Sequence, residues 1–320
     1  MGMYHLIHYY KFSPIEDLHQ FWLEQKLRCL ALELKGRIYI AAEGINGSLA
    51  GSQENISAYK NFLRSLPKFF NTEFKEEECG YIPFYQLKVR IRPEIVSLKT
   101  SAINPQQETG EFLEPHQWRW ALASEKDYVL LDVRNQYESK IGHFEGAMIP
   151  AVENFFDFPQ WLEGSGIKRR QKILMYCTGG IRCEKLSSLM KQKGFAEIYQ
   201  LKGGILNYAQ KEDGAHFKGK CFVFDDRLAI PINPKETEPI SKCEISGEPC
   251  DTYINCANAH CNRLFLCAKE AAIQMDGCCS ENCKGSAHKR PLNLDAIYTP
   301  YRKWYQYTGE IIPRFNKSAI

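Results

Sequence analysis

The chain has 320 residues, enough for two or three domains, and 44% of them are hydrophobic, which allows sizeable cores. A formal net charge of +3 is too small to indicate a class of partner. The first residues lack the basic region and apolar run of a secretory signal, and no apolar stretch approaches the ~20 residues of a membrane span. We therefore expect a soluble, cytoplasmic protein without a membrane partner.

Residues 1–97 have the pattern of a small α/β domain. The predicted elements are strands at 4–10, 37–42 and 47–51, helices at 14–34 and 52–66, and further strands after Phe69 and over 84–92. Ser13 has the side chain of an N-cap and precedes the first helix. The order strand–helix–strand–strand–helix–strand predicts a ferredoxin-like fold.

The last strand of this domain carries alternating cations. Lys88, Arg90 and Arg92 are separated by apolar residues, so their side chains share one face of the strand. Such a face is either simply solvated or a contact surface for nucleic acid. The three residues are therefore candidate RNA contacts.

Residues 98–115 are predicted to be a linker, because 100–110 is polar, contains proline and glycine, and shows no periodicity. Beyond it, residues 116–218 alternate strand and helix patterns. That alternation predicts a doubly wound parallel sheet covered on both faces.

The most informative segment of the chain is a short loop in this second domain. It lies between an apolar strand pattern at 171–176 and a helical pattern at 183–190, and its residues are Cys177, Thr178, Gly179, Gly180, Ile181 and Arg182. Such a loop curls backbone N–H groups around the sulfur, and the helix N-terminus adds partial positive charge. Both favour the thiolate, which is the nucleophilic form. We predict that Cys177 is catalytic.

Two neighbours of Cys177 are also candidates. Arg182 is predicted to stabilise the thiolate or to bind an anionic substrate, because its charge follows the loop directly. Cys183 fits two roles: a resolving thiol at the rim of the loop, or a small buried side chain in the first helical turn.

The number of residues between the cysteine and the arginine distinguishes two classes of cysteine enzyme. Cysteine phosphatases place five residues between the nucleophile and the arginine, whereas four separate Cys177 from Arg182, so this narrower loop suits a single sulfur atom. The loop resembles the active-site loop of the rhodanese family, where the cysteine carries a persulfide. Segments 129–134, 142–147 and 199–205 resemble other rhodanese segments in the same order. The resemblance covers roughly 116–218 and implies a rhodanese-like fold.

Other polar residues near these segments have structural explanations. Asp132 and Arg134 alternate along a strand, and rhodanese-like domains use this pair to tie loops together. His143 lies in a glycine-flanked turn that it is expected to cap. The run 225–227, Asp-Asp-Arg, either lines the site or forms a salt-bridged turn.

Residues 219–320 are predicted to form a cysteine-rich module with a basic, aromatic tail. Eight of the thirteen cysteines lie between residues 243 and 283: Cys243, Cys250, Cys256, Cys261, Cys267, Cys278, Cys279 and Cys283. Cys256/Cys261 and Cys279/Cys283 have the spacing of paired zinc ligands, and His260 is a further candidate. Zinc, disulfides and free thiols all remain compatible with this pattern, so the metal ligands are unknown.

The tail from residue 284 to 320 carries seven Lys or Arg against two acidic residues, interleaved with aromatic side chains. Cations provide phosphate contacts and aromatic rings provide stacking surfaces for unpaired bases. Arg302 and Lys303 are therefore further candidate RNA contacts. The aromatic residues are equally expected to pack on another domain.

Segments 221–227, 253–258 and 277–283, together with the first domain and the cysteine loop, resemble the bacterial tRNA wobble-uridine hydroxylase family. This resemblance covers nearly the full length. It implies oxygen-dependent formation of 5-hydroxyuridine at the wobble position, with Cys177 essential, dioxygen as co-substrate and the tRNA anticodon stem-loop as partner. Ser246 and Ala268 stand where relatives often carry cysteine, which makes metal binding less expected in this chain than in the family.

The sequence contains no flavin or nicotinamide motif and no two-His-one-carboxylate set. Our hypothesis is that Cys177, as thiolate or persulfide, acts directly on the uracil ring, with a sulfur or electron donor as a further partner. The alternative is a persulfide sulfurtransferase of rhodanese type. A non-catalytic tRNA-binding adaptor is disfavoured, because both Cys177 and Arg182 are intact.

Overall fold

The structure is a computed structural model that describes residues 3–100, 103–236 and 238–292. The chain forms two units, Met1–Glu238 and Pro239–Ile320. Across the described ranges, no helix has the length and apolar composition needed to cross a membrane.

The first domain is an open sheet of five strands with two helices. Its elements are β1 (Tyr4–Phe12), α1 (Leu18–Ala31), β2 (Lys35–Ala41), β3 (Gly44–Gly51), α2 (Gln53–Ser65), β4 (Phe74–Cys79) and β5 (Leu87–Ile91). The strand order is β4-β1-β3-β2-β5, which confirms the predicted ferredoxin-like arrangement and adds β5 beside β2.

The first helix is shorter than predicted at both ends. Its N-cap is Asp17, whose carboxylate accepts a hydrogen bond from the Gln20 backbone N–H at 2.9 Å, and the expected cap Ser13 is buried. The Ser13 N–H instead donates to the Glu43 carbonyl. After Ala31, Glu33 takes φ of 49°, a left-handed conformation that ends the helix.

The two faces of this sheet differ in polarity. Ile7, Tyr9, Ile38, Ile40 and Ile45 pack with residues of α1 and α2 in one apolar core. Because successive side chains on a strand point to opposite faces, the residues between them lie on the face away from the helices. The register brings together one row across all five strands: Lys75, His8, Ser48, Arg37 and Lys88. A second row contains Tyr10, Asn46, Tyr39 and Arg90.

The second domain is built around a parallel sheet of order β6-β10-β9-β7 and a small antiparallel sheet of order β12-β11-β8. Its elements are β6 (Glu111–Leu113), α3 (Pro115–Ser124), β7 (Tyr128–Asp132), α4 (Gln136–Lys140), β8 (Gly142–Phe144), α5 (Phe158–Gly164), β9 (Lys172–Tyr176), α6 (Ile181–Gln192), β10 (Ile198–Leu201), α7 (Gly204–Glu212), β11 (Phe217–Phe222) and β12 (Ala229–Pro231).

Both faces of the parallel sheet are covered, as predicted. Along β9, Ile173 and Met175 belong to a core with α5 and α6, whereas Leu174 and Tyr176 belong to a second core with α3 and α7. Strand β9 is therefore buried on both sides, which explains its continuous apolar run.

The segment predicted as a linker contains regular structure. Residues Glu111–Leu113 form β6, which pairs in parallel with β10 at the edge of the sheet. A strand of three residues is too short to show the alternation on which the prediction depended.

The second unit contains an antiparallel pair, β13 (Tyr253–Asn255) and β14 (Leu264–Leu266), followed by α8 (Lys269–Gln274) and α9 (Glu281–Lys284). Its core consists largely of cysteine and small apolar side chains. Among the described residues, this core contains few large aliphatic side chains.

Candidate active site

Cys177 directly follows β9, at the carboxyl end of the parallel sheet, and α6 begins at Ile181. Gly180 takes φ of 102°, which only glycine adopts readily and which turns the loop back toward the sulfur. A Cβ atom on Gly204 would lie 2.5 Å from the Cys177 carbonyl oxygen. Glycine at that position lets α7 start against the loop, where the Ile205 N–H donates to the same carbonyl at 3.0 Å.

The surroundings of the Cys177 sulfur favour its ionised form. Burial by itself would raise the pKa of this thiol, but a hydrogen bond from Cys183, the charge of Arg182 and backbone N–H groups outweigh it and lower the pKa to about 5. The Gly180 N–H donates to the sulfur at 3.1 Å. Cys177 is therefore a thiolate at neutral pH, the form that acts as a nucleophile.

Cys183 lies in the first turn of α6 and is fully buried. Burial and the neighbouring Cys177 sulfur raise its pKa well above the usual value, so it stays a thiol and donates to the thiolate. Cys177 and Cys183 do not form a disulfide with each other. Two sulfurs in direct contact, one ionised and one protonated, are also suited to disulfide exchange chemistry.

Arg182 is held by a carboxylate rather than left open for an anion. Its guanidinium donates to Glu138 Oε1 at 2.5 Å and to Oε2 at 2.8 Å, and also to Thr178 Oγ1 at 3.2 Å. Glu138 is fully buried and Arg182 is 6% exposed. The ion pair fixes the arginine beside the loop, and its field still lowers the pKa of Cys177.

Glu138 was not identified from the sequence. It lies on α4, the helix after β7, and its contact with Arg182 spans 44 residues of chain. The pattern Asn135-x-x-Glu138 is that of a capping box, and the Glu138 carboxylate does accept from the Asn135 N–H at 3.2 Å. That signal predicts a helix start and gives no indication of an arginine partner.

A cavity of about 510 Å³ opens over the loop. One wall belongs to the second domain and includes Cys177, Thr178 and Arg182, with Phe224 beside them. The opposite wall is the helix-free face of the first domain's sheet, and it includes His8, Tyr10, Arg37, Asn46, Lys75 and Arg92. This volume is typical of small-molecule sites and is large enough for a nucleoside.

The first domain contacts the loop directly. The Tyr10 hydroxyl donates to Glu184 of α6 at 2.5 Å. It also lies so close to Gly180 that a Cβ atom there would be 2.9 Å from it. The Lys75 ammonium lies 5.1 Å from the centre of the Tyr10 ring. Neither Tyr10 nor Lys75 was identified from the sequence, because the site face of this sheet depends on how two domains pack.

The other polar residues of the second domain make structural contacts. Arg134 and Asp132 form a fully buried pair with Nη2–Oδ2 at 2.6 Å, and Arg134 also donates to the Gly142 carbonyl. The His143 Nδ1 lies 2.9 Å from the Ser139 carbonyl oxygen within its turn. These contacts tie loops together, as the sequence suggested.

The 225–227 run forms a salt-bridged turn. Arg227 donates to Asp225 Oδ1 at 2.9 Å and to Oδ2 at 2.7 Å, and its Nη2 reaches Glu77 of the first domain at 2.8 Å. The turn therefore joins the two domains behind the cavity wall.

Of the five candidate RNA contacts predicted from the sequence, three lie among the described residues. Lys88 and Arg90 lie on β5, on the same sheet face as the cavity wall, and Arg92 lines the cavity with its guanidinium 5.6 Å from the Tyr39 ring centre. Arg302 and Lys303 lie outside the described residues.

In the second unit, four cysteines converge. The sulfurs of Cys256, Cys261, Cys279 and Cys283 all lie within 4.8 Å of one another, and this group could hold a metal ion. These are the two pairs whose spacing matched zinc ligands. His260 is not part of the group; its ring stacks on His288 at 4.0 Å.

Ser246 and Ala268, the two positions where relatives often carry cysteine, contact a different cysteine of this unit. The backbone N–H groups of Ser246 and Ala268 donate to the Cys243 sulfur at 3.4 and 3.3 Å. Both positions thus contact Cys243, which is not one of the four converging cysteines.

Family models match three segments in order: a UPF0176 acylphosphatase like domain at 4–95, a Rhodanese-like domain at 116–211 and a Rhodanase C-terminal segment at 218–284. Together with the cysteine loop, they define a rhodanese-like protein with an acylphosphatase-like domain before it. Among solved structures, a Rhodanese-like domain from Anabaena sp. is similar, with 25% identity and a TM-score of 0.30, covering 35% of this chain and 80% of that chain.

Two curated relatives are similar over nearly the full length. Proteins named tRNA uridine(34) hydroxylase from Bacillus thuringiensis (strain Al Hakam) and Bacillus cereus (strain 03BB102) are each 40% identical over 291 residues, which is 90% of this chain and 91% of theirs. The chain belongs to the tRNA uridine(34) hydroxylase family, which confirms the resemblance inferred from the sequence.

Proposed function

We propose that this protein hydroxylates carbon 5 of the wobble uridine of tRNA, with Cys177 as the nucleophile and dioxygen as co-substrate. One observation carries the proposal: a sulfur with a pKa of about 5 lines a cavity of about 510 Å³ whose opposite wall is basic and aromatic. A nucleophile that is ionised at neutral pH and a cavity of nucleoside size are what chemistry on a single extruded base requires.

The anticodon loop is a suitable partner for this cavity. Bases in RNA loops are unstacked and can be splayed out, then held by aromatic side chains and cations. Phe224 is 45% exposed at the cavity and its ring lies 5.8 Å from the Arg182 guanidinium carbon, so it can stack on a base that enters. Arg37 and Arg92 on the facing wall suit the phosphates on either side of that base.

The RNA contact surface extends along the same sheet face. Lys88 and Arg90 continue the two rows that begin at the cavity wall. We assign these two residues, with Arg92, to the backbone of the anticodon stem-loop, where contacts fix position without reading sequence. Arg302 and Lys303 remain candidates for the same role.

The chemistry follows from the two sulfurs. The Cys177 thiolate adds to carbon 6 of uracil, and the electron pair of the C5=C6 bond moves onto the carbonyl at carbon 4. Dioxygen and a proton then add at carbon 5 to give a hydroperoxide. The Cys183 sulfur takes its terminal oxygen and becomes a sulfenic acid, which leaves a hydroxyl on carbon 5.

The remaining steps restore the ring. Loss of the carbon 5 proton and of the Cys177 sulfur re-forms the C5=C6 bond and releases 5-hydroxyuridine. Cys177 then attacks the Cys183 sulfenic acid, giving a disulfide and water. Overall, uridine, dioxygen and two thiols yield 5-hydroxyuridine, water and one disulfide. An external thiol reductant restores the pair before the next turnover.

The main competing function is persulfide transfer, which the rhodanese-like loop supports weakly. Small anionic sulfur donors require a cation with free donors beside the cysteine. Here Glu138 occupies both ends of the Arg182 guanidinium. Arg182 is therefore not left available as the anion-binding group that a sulfurtransferase would need beside its cysteine.

The direct test uses the purified full chain, an anticodon stem-loop with uridine at position 34, a thiol reductant and air. We expect mass spectrometry to show the gain of one oxygen atom at that uridine, and no gain without dioxygen or with cytidine at position 34. Sulfur incorporation, or steady thiocyanate formation from a sulfane donor and cyanide, would instead establish a sulfurtransferase.

Two substitutions of Cys183 separate its role as a hydrogen-bond donor to Cys177 from its role as a redox-active sulfur. Cys183→Ser keeps a hydroxyl that can donate to Cys177 but removes the redox sulfur, so we expect the Cys177 pKa to stay near 5 while repeated turnover is lost. Cys183→Ala also removes the donor, so the Cys177 pKa should rise. The ultraviolet absorbance of the thiolate during a pH titration measures the pKa, with Cys177→Ser as the blank. Full turnover in Cys183→Ser would contradict the disulfide step.

We also propose that the second unit binds zinc through Cys256, Cys261, Cys279 and Cys283. In a tetrahedral site with zinc–sulfur bonds of about 2.3 Å, neighbouring sulfurs are about 3.8 Å apart. The Cys261–Cys279 and Cys279–Cys283 distances are 3.7 and 3.9 Å. Bound zinc would supply the cross-link that a core rich in cysteine and small side chains lacks.

Elemental analysis of the full chain should find about one zinc per molecule. Cys279→Ser should remove most of it, because this sulfur lies centrally between Cys261 and Cys283. Cys250→Ser is the matched control, since this buried cysteine lies outside the group. Retention of full zinc content by Cys279→Ser would rule out this ligand set.

A further inference from the structure

We propose that Lys75 contacts the carbonyl oxygen at carbon 4 of the bound uracil and stabilises the negative charge that appears there when Cys177 adds to the ring. This inference rests on the proposed function. It assigns a catalytic role to a residue of the first domain, which is outside the rhodanese-like domain that carries the sulfur.

The strand register fixes the position of Lys75. It lies on β4 opposite His8 of β1, in the row of polar residues on the helix-free face of the sheet, and it lines the same cavity as Cys177. Its ammonium lies 5.1 Å from the Tyr10 ring centre. The hydroxyl of that same ring lies against Gly180, whose N–H donates to the Cys177 sulfur. Lys75 and Cys177 thus lie on the two facing walls of the same cavity, with the Tyr10 ring in contact with both sides.

Lys75 differs from Lys60 and Lys185, a half-buried and a buried lysine that each form ion pairs. Lys60 pairs with Glu76, and Lys185 pairs with Glu43 and Glu94. Among the described residues, Lys75 makes no such ion pair within 4.0 Å, although it is half-buried. An ammonium has three donors and no acceptor, so its hydrogen bonds remain available to a ligand with carbonyl oxygens.

The charges nearest Lys75 are negative, and none of them forms an ion pair with it among the described residues. Burial lowers its pKa, and the nearby charges of Cys177, Glu73 and Glu184 act in the opposite direction. Once the Cys177 thiolate forms a bond to carbon 6, its negative charge moves to the carbonyl oxygen of the substrate. The attraction between Lys75 and Cys177 is then replaced by attraction to that oxygen.

The reaction itself shows why a cation is needed on this wall. Addition of sulfur at carbon 6 breaks the C5=C6 π bond and places an electron pair on the oxygen at carbon 4. Arg182 is already held by Glu138. A donor aimed at the oxygen that becomes charged accelerates such a step more than it strengthens binding of the neutral base.

A test without dioxygen isolates this step. Addition at carbon 6, uptake of a deuteron at carbon 5 and reversal exchange the carbon 5 hydrogen for deuterium, with no change in oxidation state. The full chain is mixed with the uridine-34 anticodon stem-loop in anaerobic D₂O, and exchange is followed by mass spectrometry. We expect Lys75→Met to slow exchange by about 10²-fold or more, with the stem-loop Kd changed by less than about threefold. Lys75→Arg should recover part of the rate.

Lys26→Met is the matched control. Lys26 is also half-buried over an aromatic ring of the first domain, 4.8 Å from the Trp22 centre, but it lies on α1 outside the cavity. Exchange by Lys75→Met at the wild-type rate would overturn the role of Lys75. A Kd increase equal to the loss of rate would overturn it too, because it would make Lys75 a phosphate contact.

The same measurements distinguish a failure of the Lys75 proposal from a failure of the proposed hydroxylation. If wild type hydroxylates uridine in air but shows no anaerobic exchange, the addition step and with it the role of Lys75 are wrong while hydroxylation stands. If wild type does neither, the proposed function itself is wrong.

Discussion

Replacing Cys177 with serine is expected to abolish formation of 5-hydroxyuridine, with a loss of more than about 10³-fold in rate. The reason is the acidity of the thiol. The loop holds sulfur as an anion at neutral pH, with a pKa of about 5, whereas a serine hydroxyl in the same place stays protonated and is a poor nucleophile. Mass spectrometry of tRNA nucleosides from cells that lack the gene, complemented with each variant, measures the effect.

The control for this substitution is Cys79→Ser. Cys79 is buried on β4, and its sulfur lies 3.9 Å from Arg227 Nη1, so a serine hydroxyl can keep that contact. We expect this variant to restore the modified nucleosides. If Cys177→Ser restored them equally well, the nucleophile assigned here would be wrong; if thiolated uridines changed instead, the protein would be a sulfur carrier.

The pH dependence of the wild type follows from the same pKa. The nucleophile is the deprotonated form, so activity is half-maximal near pH 5, approaches its maximum above that pH and falls about tenfold per pH unit well below it. Arg182 contributes to the depression of the Cys177 pKa, and the Cys183 thiol contributes more.

The nucleophile was predictable from sequence because its environment is local. Cys177, the glycines of the loop and the start of α6 are consecutive, and backbone N–H groups at a helix N-terminus follow from that order alone. The parallel sheet was predictable for a similar reason, since β9 has a continuous apolar run between a turn and a helix. Both depend on patterns contained within a few residues.

The partners of the loop were not predictable, because they come from distant segments. Glu138 lies 44 residues before Arg182 in the chain, and Tyr10 lies 174 residues before Glu184. Lys75 sits in a run of acidic residues on β4 that looks like an ordinary solvated strand. Folding of the second domain brings Glu138 to Arg182, and packing of the first domain's helix-free face against the loop brings Tyr10 and Lys75 to the cavity.

Buried ions at this packing surface connect the two domains. Lys185 on α6 is 2% exposed and contacts both Glu43 and Glu94 of the first domain. Because α6 begins at the cysteine loop, this cluster holds the helix in register with the opposite cavity wall. The two walls of the cavity are thus held together by a buried ion cluster at its edge, as preorganised sites require.

Replacing Glu138 with alanine is expected to have the largest effect on stability. The substitution leaves the Arg182 guanidinium buried without its carboxylate, and loss of one partner of a buried pair costs about 3–5 kcal/mol. Glu138 also accepts from Thr178 Oγ1 at 3.3 Å, so the loop loses a second contact. Urea denaturation measures the free energy of unfolding, and the nucleoside assay measures activity.

A double variant separates stability from catalysis. In Glu138→Leu with Arg182→Met, both charges are removed together and apolar side chains fill similar volume, so most of the lost stability should return. Activity should stay low, because the Cys177 pKa rises once the charge of Arg182 is gone. Recovery of both stability and activity would mean that the pair only supports the fold. Recovery of stability alone would show that a buried ion pair, remote in sequence, keeps the nucleophile ionised.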